Sequence, residues 1–245
     1  MIRSIALIFL MTPLALHAQN RSARVSTHIL TFAPTSLPET FQPSYQAGGN
    51  IELFTASVGT LGLPSPYNGP RDLALYGSKA DAEAAAGGKN SIQPIATVTL
   101  PEKSDLALII CTRTAGDKVS LAAYNVDSRD LKSGDYRIFN FSKSTISITI
   151  GEQKLELAPD NDSILRDAKW HNEAIALPIK IATVTDGKSR PVYSSLREHS
   201  PRNRTLMFLF DGSHPSRPIT FTTFNAEEAA ANTGSGKRPP NRPKP

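Results

Sequence analysis

Cysteine is almost absent from this chain of 245 residues, because Cys111 is the only one. A single cysteine cannot form an internal disulfide, so the fold must be held together by its core. Cys111 follows the apolar run Leu108–Ile110, and no histidine lies near it in the sequence. We therefore expect a small buried hydrophobic side chain rather than a reactive thiol.

Known catalytic and metal-binding motifs are missing as well. The sequence has no Gly-x-Ser-x-Gly elbow, and its histidines after residue 18 show no metal-ligand spacing. Gly234–Lys237 lacks the earlier glycine of a phosphate loop and is followed by Arg and two prolines. Asp160–Asp162 lacks the glycine and the final glutamate of a calcium loop. The sequence therefore predicts no catalytic residue, no metal site and no cofactor.

Neither charge nor aromatic residues are abundant enough to indicate a polymer-binding class by themselves. The formal net charge is +5, and part of it lies on Arg3 and on the tail after Ala226. The remaining body is close to neutral, which argues against a nucleic-acid partner. Aromatic residues make up only 7% of the chain and lie mostly in apolar runs, which disfavours a sugar-stacking surface.

Only one apolar run is long enough to interact with a membrane, and it lies in residues 1–18. Arg3 precedes the apolar segment Ile5–Leu16, and Ala18 supplies a small residue for cleavage. This pattern predicts a secretory signal peptide. A retained anchor is the weaker alternative, because spanning a bilayer takes roughly 20 apolar residues. We expect an exported protein in the periplasm or the extracellular space.

Two segments one hundred residues apart resemble each other. Leu106–Asn125 and Leu206–Asn225 align without a gap, and each consists of an apolar run, a polar turn and an alternating run. That pattern predicts a β-hairpin in each copy. Asn50–Ser57 matches Asp135–Ser142 in the same way, so the sequence predicts two related β-modules.

The strand and turn signals divide the chain into five parts. About thirteen short strands with polar turns predict an all-β fold: two tandem immunoglobulin-like antiparallel β-sandwich modules, or one large sandwich merged from both. The predicted parts are a signal peptide (1–18), an extended leader that holds at most an edge strand at His28–Phe32 (19–49), module 1 (50–127), module 2 (134–226) and a disordered basic, Pro-rich tail (227–245).

The stretch Gly134–Asp160 resembles a recurrent one in uncharacterised exported bacterial proteins. Its pattern is an aromatic-Asn-Ser strand, an alternating strand, a Gly turn and a Pro-ended strand. The resemblance implies immunoglobulin-like β-sandwich modules and export. It implies no functional residue, because the matching residues are structural turns and strands.

Residues 186–204 have no counterpart in the first copy when the two hairpins are aligned. We interpret them as a surface insertion, since loops tolerate added residues. The segment concentrates the candidate partner- or anion-contacting residues, Arg190, Tyr193, Arg197, His199, Arg202 and Arg204. The competing interpretation is a solvated loop whose charge keeps a sheet edge from aggregating.

These patterns predict an exported, non-enzymatic interaction or structural accessory module of the bacterial envelope. Its partner would be another envelope protein or an anionic envelope polymer. A carbohydrate- or peptidoglycan-binding module is the first alternative. A hydrolase whose site is invisible in the sequence is the second.

Overall fold

A computed structural model of the chain describes residues 23–39, 41–88 and 91–226. The predicted signal peptide and the whole of the predicted tail lie outside these residues. The described chain is an all-β sandwich fold with sixteen strands and one short α-helix. Within these ranges, no helix combines the length and apolar character that crossing a membrane requires.

The first half of the described chain forms one sandwich, module 1. Its elements are β1 (Arg24–Phe32), β2 (Ser44–Ala47), β3 (Asn50–Leu53), β4 (Ser65–Pro70), β5 (Asp72–Leu75), α1 (Lys79–Ala86), β6 (Ala96–Thr99), β7 (Leu106–Arg113) and β8 (Val119–Asn125). The helix starts where the Ser78 side chain accepts a hydrogen bond from the Asp81 N–H, at 3.1 Å, which is an ordinary N-cap.

The second half forms module 2 from a second set of eight strands. These are β9 (Tyr136–Asn140), β10 (Thr145–Ile150), β11 (Gln153–Leu157), β12 (Asp162–Leu165), β13 (Ile175–Thr185), β14 (Lys188–His199), β15 (Thr205–His214) and β16 (Arg217–Asn225). A 3₁₀ turn at Ala168–His171 carries Trp170 into the core, where it is buried.

Both modules have the same strand order. The inner sheets are β4-β1-β7-β8 and β12-β9-β15-β16, and the outer sheet of module 2 is β11-β10-β13-β14. In module 1, the pairs β2–β3 and β5–β6 form the matching outer sheet, joined by backbone hydrogen bonds between Ser44 and Tyr76. The two modules therefore share one topology, which is what the predicted duplication requires.

One strand pair in each inner sheet departs from the predicted antiparallel arrangement. β1 pairs in parallel with β7, and β9 pairs in parallel with β15. Parallel neighbours need a long crossover connection. Here the connection runs through the outer sheet of the same module.

The two inner sheets pack face to face, so the molecule has four sheet layers. Successive residues of β7 and β15 point alternately to opposite faces. Ala107, Ile109 and Cys111 enter the module-1 core, whereas Leu106, Leu108 and Ile110 enter a central core between the modules. Cys111 is buried, as predicted.

Aromatic rings fill most of the central core. Phe208 stacks on Phe32 with 4.0 Å between ring centroids, and on Phe139 with 5.0 Å. All three rings are at most 1% exposed. Each buried side chain of this size contributes roughly 1.5–3 kcal/mol through the hydrophobic effect. The central core thus joins the two modules firmly.

The predicted leader is wrong, because module 1 starts at β1 rather than at residue 50. β1 lies between β4 and β7, so it is an interior strand rather than the predicted edge strand. Both of its faces are buried, with Ile29 in the module-1 core and Leu30 and Phe32 in the central core. A strand buried on both faces lacks the apolar-polar alternation that identifies strands in a sequence.

Two details of the predicted repeat also need correction. The counterpart of β9 in the shared topology is β1, whereas Asn50–Ser57 contributes β3 of the outer sheet. The hairpins β7–β8 and β15–β16 both exist, but their registers differ by two residues. Leu108 lies opposite Tyr124, whereas Phe208 lies opposite Thr222. A shift of two keeps every side chain on its original face, so the sequence match survives it.

Candidate functional site

The predicted insertion at residues 186–204 is a structural strand. β14 pairs antiparallel with β13 along its whole length and forms one edge of the outer sheet of module 2. Asp186 and Gly187 form the connecting turn, with φ values of 50° and 72°. Two successive residues with positive φ are typical of the tight turn of a β-hairpin. The segment is therefore the counterpart of β6, and the surface-loop interpretation is wrong.

His199 is a buried part of the core instead of a surface contact. Its Nε2 lies 2.8 Å from the Trp170 carbonyl oxygen, which can only accept a hydrogen bond. Nε2 must therefore carry the proton, and Nδ1 accepts from the Tyr136 hydroxyl at 3.1 Å. Burial raises the pKa of Tyr136 to about 12, which keeps this hydroxyl a donor. Both ring nitrogens are occupied, so His199 has no free group for a partner.

Arg204 is also buried, and its role is to join the modules. Its Nη1 donates to the Val126 carbonyl at 2.8 Å, so a side chain of module 2 binds the end of module 1. Arg137 acts in the same way, donating to the Asn125 carbonyl at 2.9 Å. Arg202 is exposed in the turn after β14. The structure therefore does not bring Arg202 and Arg204 together as one surface.

Tyr193 and Arg197 do come together, on the core-facing side of β14. Arg197 Nε donates to the Tyr193 hydroxyl at 3.1 Å. The guanidinium also lies 5.8 Å from the ring centre of Phe221 on β16, and Tyr193 packs edge-on against the same ring. Burial alone would raise the pKa of Tyr193, but hydrogen bonds from Ser195 and Arg197 and the guanidinium charge lower it overall.

A cleft of about 250 Å³ opens beside Arg197, between the edge strands β14 and β16. Its floor is apolar and comes from both sheets (Tyr136, Ile179, Met207, Phe221 and Phe224). Its mouth is polar (Arg197, Glu198, Asn203, Thr205, Thr223 and Asn225). A second concavity of about 550 Å³ adjoins it and shares Glu198 and Asn203. Convergent polar groups of this kind fix the orientation of the ligand in many binding sites.

Module 1 has its open edge on the side opposite to the open edge of module 2. Apolar side chains of β6 and β8 pack together in its core, which closes the edge equivalent to the β14–β16 cleft. A groove of about 540 Å³ lies instead beside β4 and the β2–β3 hairpin, where His28, Glu52 and Asp105 are among its lining residues. The two copies have thus kept one topology and opened different edges.

Three hairpin tips lie at one end of the molecule. Thr145 pairs with Val184, so the β13–β14 tip lies beside the end of β9. The N–H of Lys143, just after β9, donates to Asp211 Oδ1 in the β15–β16 hairpin at 3.1 Å. The start of β15 lies at the start of β7, because the Arg204 guanidinium binds the Val126 carbonyl opposite Leu106. The β7–β8 tip therefore projects at the same end.

Basic side chains dominate these tips, and we call this surface the basic end. It consists of exposed cations from the three hairpins and the turn after β9 (Arg113, Lys118, Lys143, Lys188, Arg190 and Arg217). Their acidic neighbours in the same turns include Asp186 and Asp211. Lys143, Lys188, Arg190 and Arg217 form no ion pair within the described ranges.

The buried carboxylate of Asp135 is the strongest candidate for catalytic chemistry, and its contacts are structural. It accepts from Arg166 Nε at 3.0 Å and from the Lys132 N–H at 2.9 Å, and it lies 2.9 Å from His171 Nε2. No hydroxyl in the described part of the chain bonds to His171. The network closes the linker between the modules. The described residues also contain no cluster of three or more His, Cys, Asp or Glu able to hold a metal ion.

Comparison with protein-family models and with curated proteins gave no match for this chain. Its functional surfaces must therefore be judged from their own chemistry. The cleft residues on β15 and β16 were missed by sequence reasoning, because they are ordinary Asn, Thr and Phe residues in a strand pattern. They meet Arg197 only when the two sheets pack together.

Proposed function

We propose that this protein is a non-enzymatic interaction module of the bacterial envelope, and that it binds an anionic envelope polymer through its basic end. The observation that supports the proposal is the convergence of exposed cations from separate hairpins on one end. Export rests on the signal-like residues 1–18 alone.

The physical basis is long-range attraction between like-charged tips and a polyanion. Lys188, Arg190 and Arg217 lie in tight hairpins, so binding requires little additional ordering of the backbone. These three cations form no ion pair within the described residues that binding an anion would break. The attraction between exposed charges should weaken with salt, because the screening length is about 8 Å at physiological ionic strength.

The test is retention of the mature protein on immobilised dextran sulfate, eluted with a NaCl gradient. In the tip variant, Lys188, Arg190 and Arg217 are changed to Ser. The matched control changes Lys103, Lys132 and Arg202 to Ser, since these exposed cations lie at the opposite end and carry the same total charge. We expect the tip variant to elute at clearly lower salt than both the wild type and the control.

Two results would contradict the proposal. Equal shifts for both triple variants would show that only net charge matters. Unchanged elution of the tip variant would show that the basic end makes no contact with the polyanion. Circular dichroism of each variant checks that all three proteins are folded before their elution is compared.

A further inference from the structure

Arg197 is held in place and still has binding capacity. The Tyr193 hydroxyl accepts from its Nε, and the ring of Phe221 lies beside its guanidinium. Its Nη1 and Nη2 make no hydrogen bond or ion pair within the described residues, although Arg197 lines the β14–β16 cleft. An arginine fixed in this way is preorganised to bind a carboxylate with two parallel hydrogen bonds.

Three other polar groups at the mouth of the cleft are also available. The Glu198 carboxylate and the hydroxyls of Thr205 and Thr223 have no hydrogen-bond partner among the residues that the structure describes, and all three residues line the cleft. Asn225 Nδ2 donates to Asn203 Oδ1 at 3.0 Å, so this amide pair is ordered. The mouth therefore offers both acceptors and donors, which matches a ligand with several hydroxyl groups.

The size of the cleft and its apolar floor restrict the ligand further. At about 250 Å³ it lies below the roughly 300–1,000 Å³ of pockets for drug-sized molecules. It suits a single ring whose apolar face meets Phe221, which is partly exposed in the floor of the cleft. A purely apolar acid would leave the groups at the mouth without partners, which is costly. A doubly charged phosphate would be repelled by Glu198.

We propose that the β14–β16 cleft binds one sugar ring that carries a carboxylate, with Arg197 pairing with the carboxylate. Glu198 and the two threonine hydroxyls bind the ring hydroxyls. The ligand class is an acidic saccharide, either free or as a unit exposed on a polymer. This site is separate from the basic end, so it holds whether or not the tips bind a polyanion.

The test is a titration of the isotope-labelled wild-type protein with D-glucuronate, followed by amide shifts in NMR spectra. D-glucose is the matched neutral ring and propionate the matched acid without a ring. We expect saturable shifts around Phe221 and Thr223 with D-glucuronate, and affinity at least about tenfold weaker for either comparison ligand, because D-glucose lacks the carboxylate and propionate lacks the ring hydroxyls.

The variants separate this site from the rest of β14. Arg197→Met keeps an apolar chain over Phe221 and should weaken D-glucuronate binding at least about tenfold, through loss of the charged pair. Arg197→Lys keeps the charge but not the two parallel bonds and should give intermediate affinity. Arg190→Gln, at the tip of the same strand, should bind like the wild type.

The proposal would be overturned by the absence of saturable shifts with D-glucuronate, by equal affinity for D-glucose, or by undiminished binding by Arg197→Met. If propionate alone matched D-glucuronate, the cleft would be a simple carboxylate site and the sugar assignment would be wrong. Loss of binding in Arg190→Gln would place the ligand at the basic end instead.

Discussion

Phe208 and Leu209 are consecutive residues of β15 that report on different cores. Phe208 enters the central core between the modules, whereas Leu209 enters the core of module 2. Both side chains are fully buried. Replacing each by alanine therefore tests whether the inner sheets pack face to face, and whether the register of β15 is correct.

The expected cost of Phe208→Ala follows from its surroundings. A buried Phe→Ala change costs about 3–5 kcal/mol of unfolding free energy. Phe208 also stacks on Phe32 and Phe139 and meets the edge of Phe224. Because each aromatic pair adds about 0.5–1.5 kcal/mol beyond its buried area, we expect the upper part of that range. Leu209→Ala should cost about 2–5 kcal/mol.

The assay is guanidinium denaturation followed by two signals. Trp170 is the only tryptophan, and it lies in the core of module 2. Its fluorescence therefore reports on module 2, whereas far-ultraviolet circular dichroism reports on both modules. The two transitions should coincide in the wild type and in Leu209→Ala. In Phe208→Ala they should separate, because the central core couples the modules.

One result would refute this reasoning. If Phe208→Ala lowered the unfolding free energy by less than about 1 kcal/mol, the residue could not be buried between two sheets. A cost confined to Leu209→Ala would mean that the face of β15 that carries Phe208 is not packed against module 1. Separation of the two transitions in Leu209→Ala instead of Phe208→Ala would mean that the strand is shifted by one residue, since such a slip exchanges the two faces.

Two further predictions concern buried groups. His199→Ala should lower the unfolding free energy by about 1–3 kcal/mol, because the Tyr136 hydroxyl and the Trp170 carbonyl lose their partner. Arg202→Ala changes an exposed neighbour and should alter the unfolding free energy by no more than about 0.5 kcal/mol in the same denaturation. Equal effects of the two changes would contradict the buried position of His199. Burial raises the pKa of the Cys111 thiol from 9.0 to about 12, so the folded state keeps it neutral and its stabilising effect is complete below pH 9 and lost as pH rises towards 12. In Cys111→Ala, the unfolding free energy should therefore fall less steeply as the pH rises above 9. Rapid labelling of the native thiol by a disulfide reagent at pH 8 would contradict its burial.

Local patterns identified the elements that are buried on one face or bounded by clear turns. The alternating and apolar runs of Leu106–Asn125 and Leu206–Asn225 predicted both hairpins, which the structure confirms. The burial of Cys111 followed from its apolar neighbours and is confirmed too. The turn at Asp186-Gly187 was a usable signal that was overlooked, because Asp-Gly between two extended runs is typical of a hairpin.

Two predictions failed because they depended on neighbours distant in sequence. β1 was assigned to a leader because both of its faces are buried, which removes the period-two pattern. The counterpart of β14 is β6, which has only four residues. Aligning the copies by sequence therefore left residues of β14 unmatched, and these were interpreted as an insertion. His199 and Arg204 were grouped with surface cations because the residues that bury them are distant in sequence.

The sequence by itself determined that the chain is all-β, duplicated and held together without disulfides, because strand periodicity, turn residues and cysteine number are local properties. Only the tertiary structure decided that the inner sheets face each other across an aromatic core. It also decided which charges are buried and which stay at the surface. The β14–β16 cleft belongs to this second kind. Arg197 and Thr223 lie on different sheets, and the packing of those sheets depends on the shape and burial of many side chains at once, which no local pattern records.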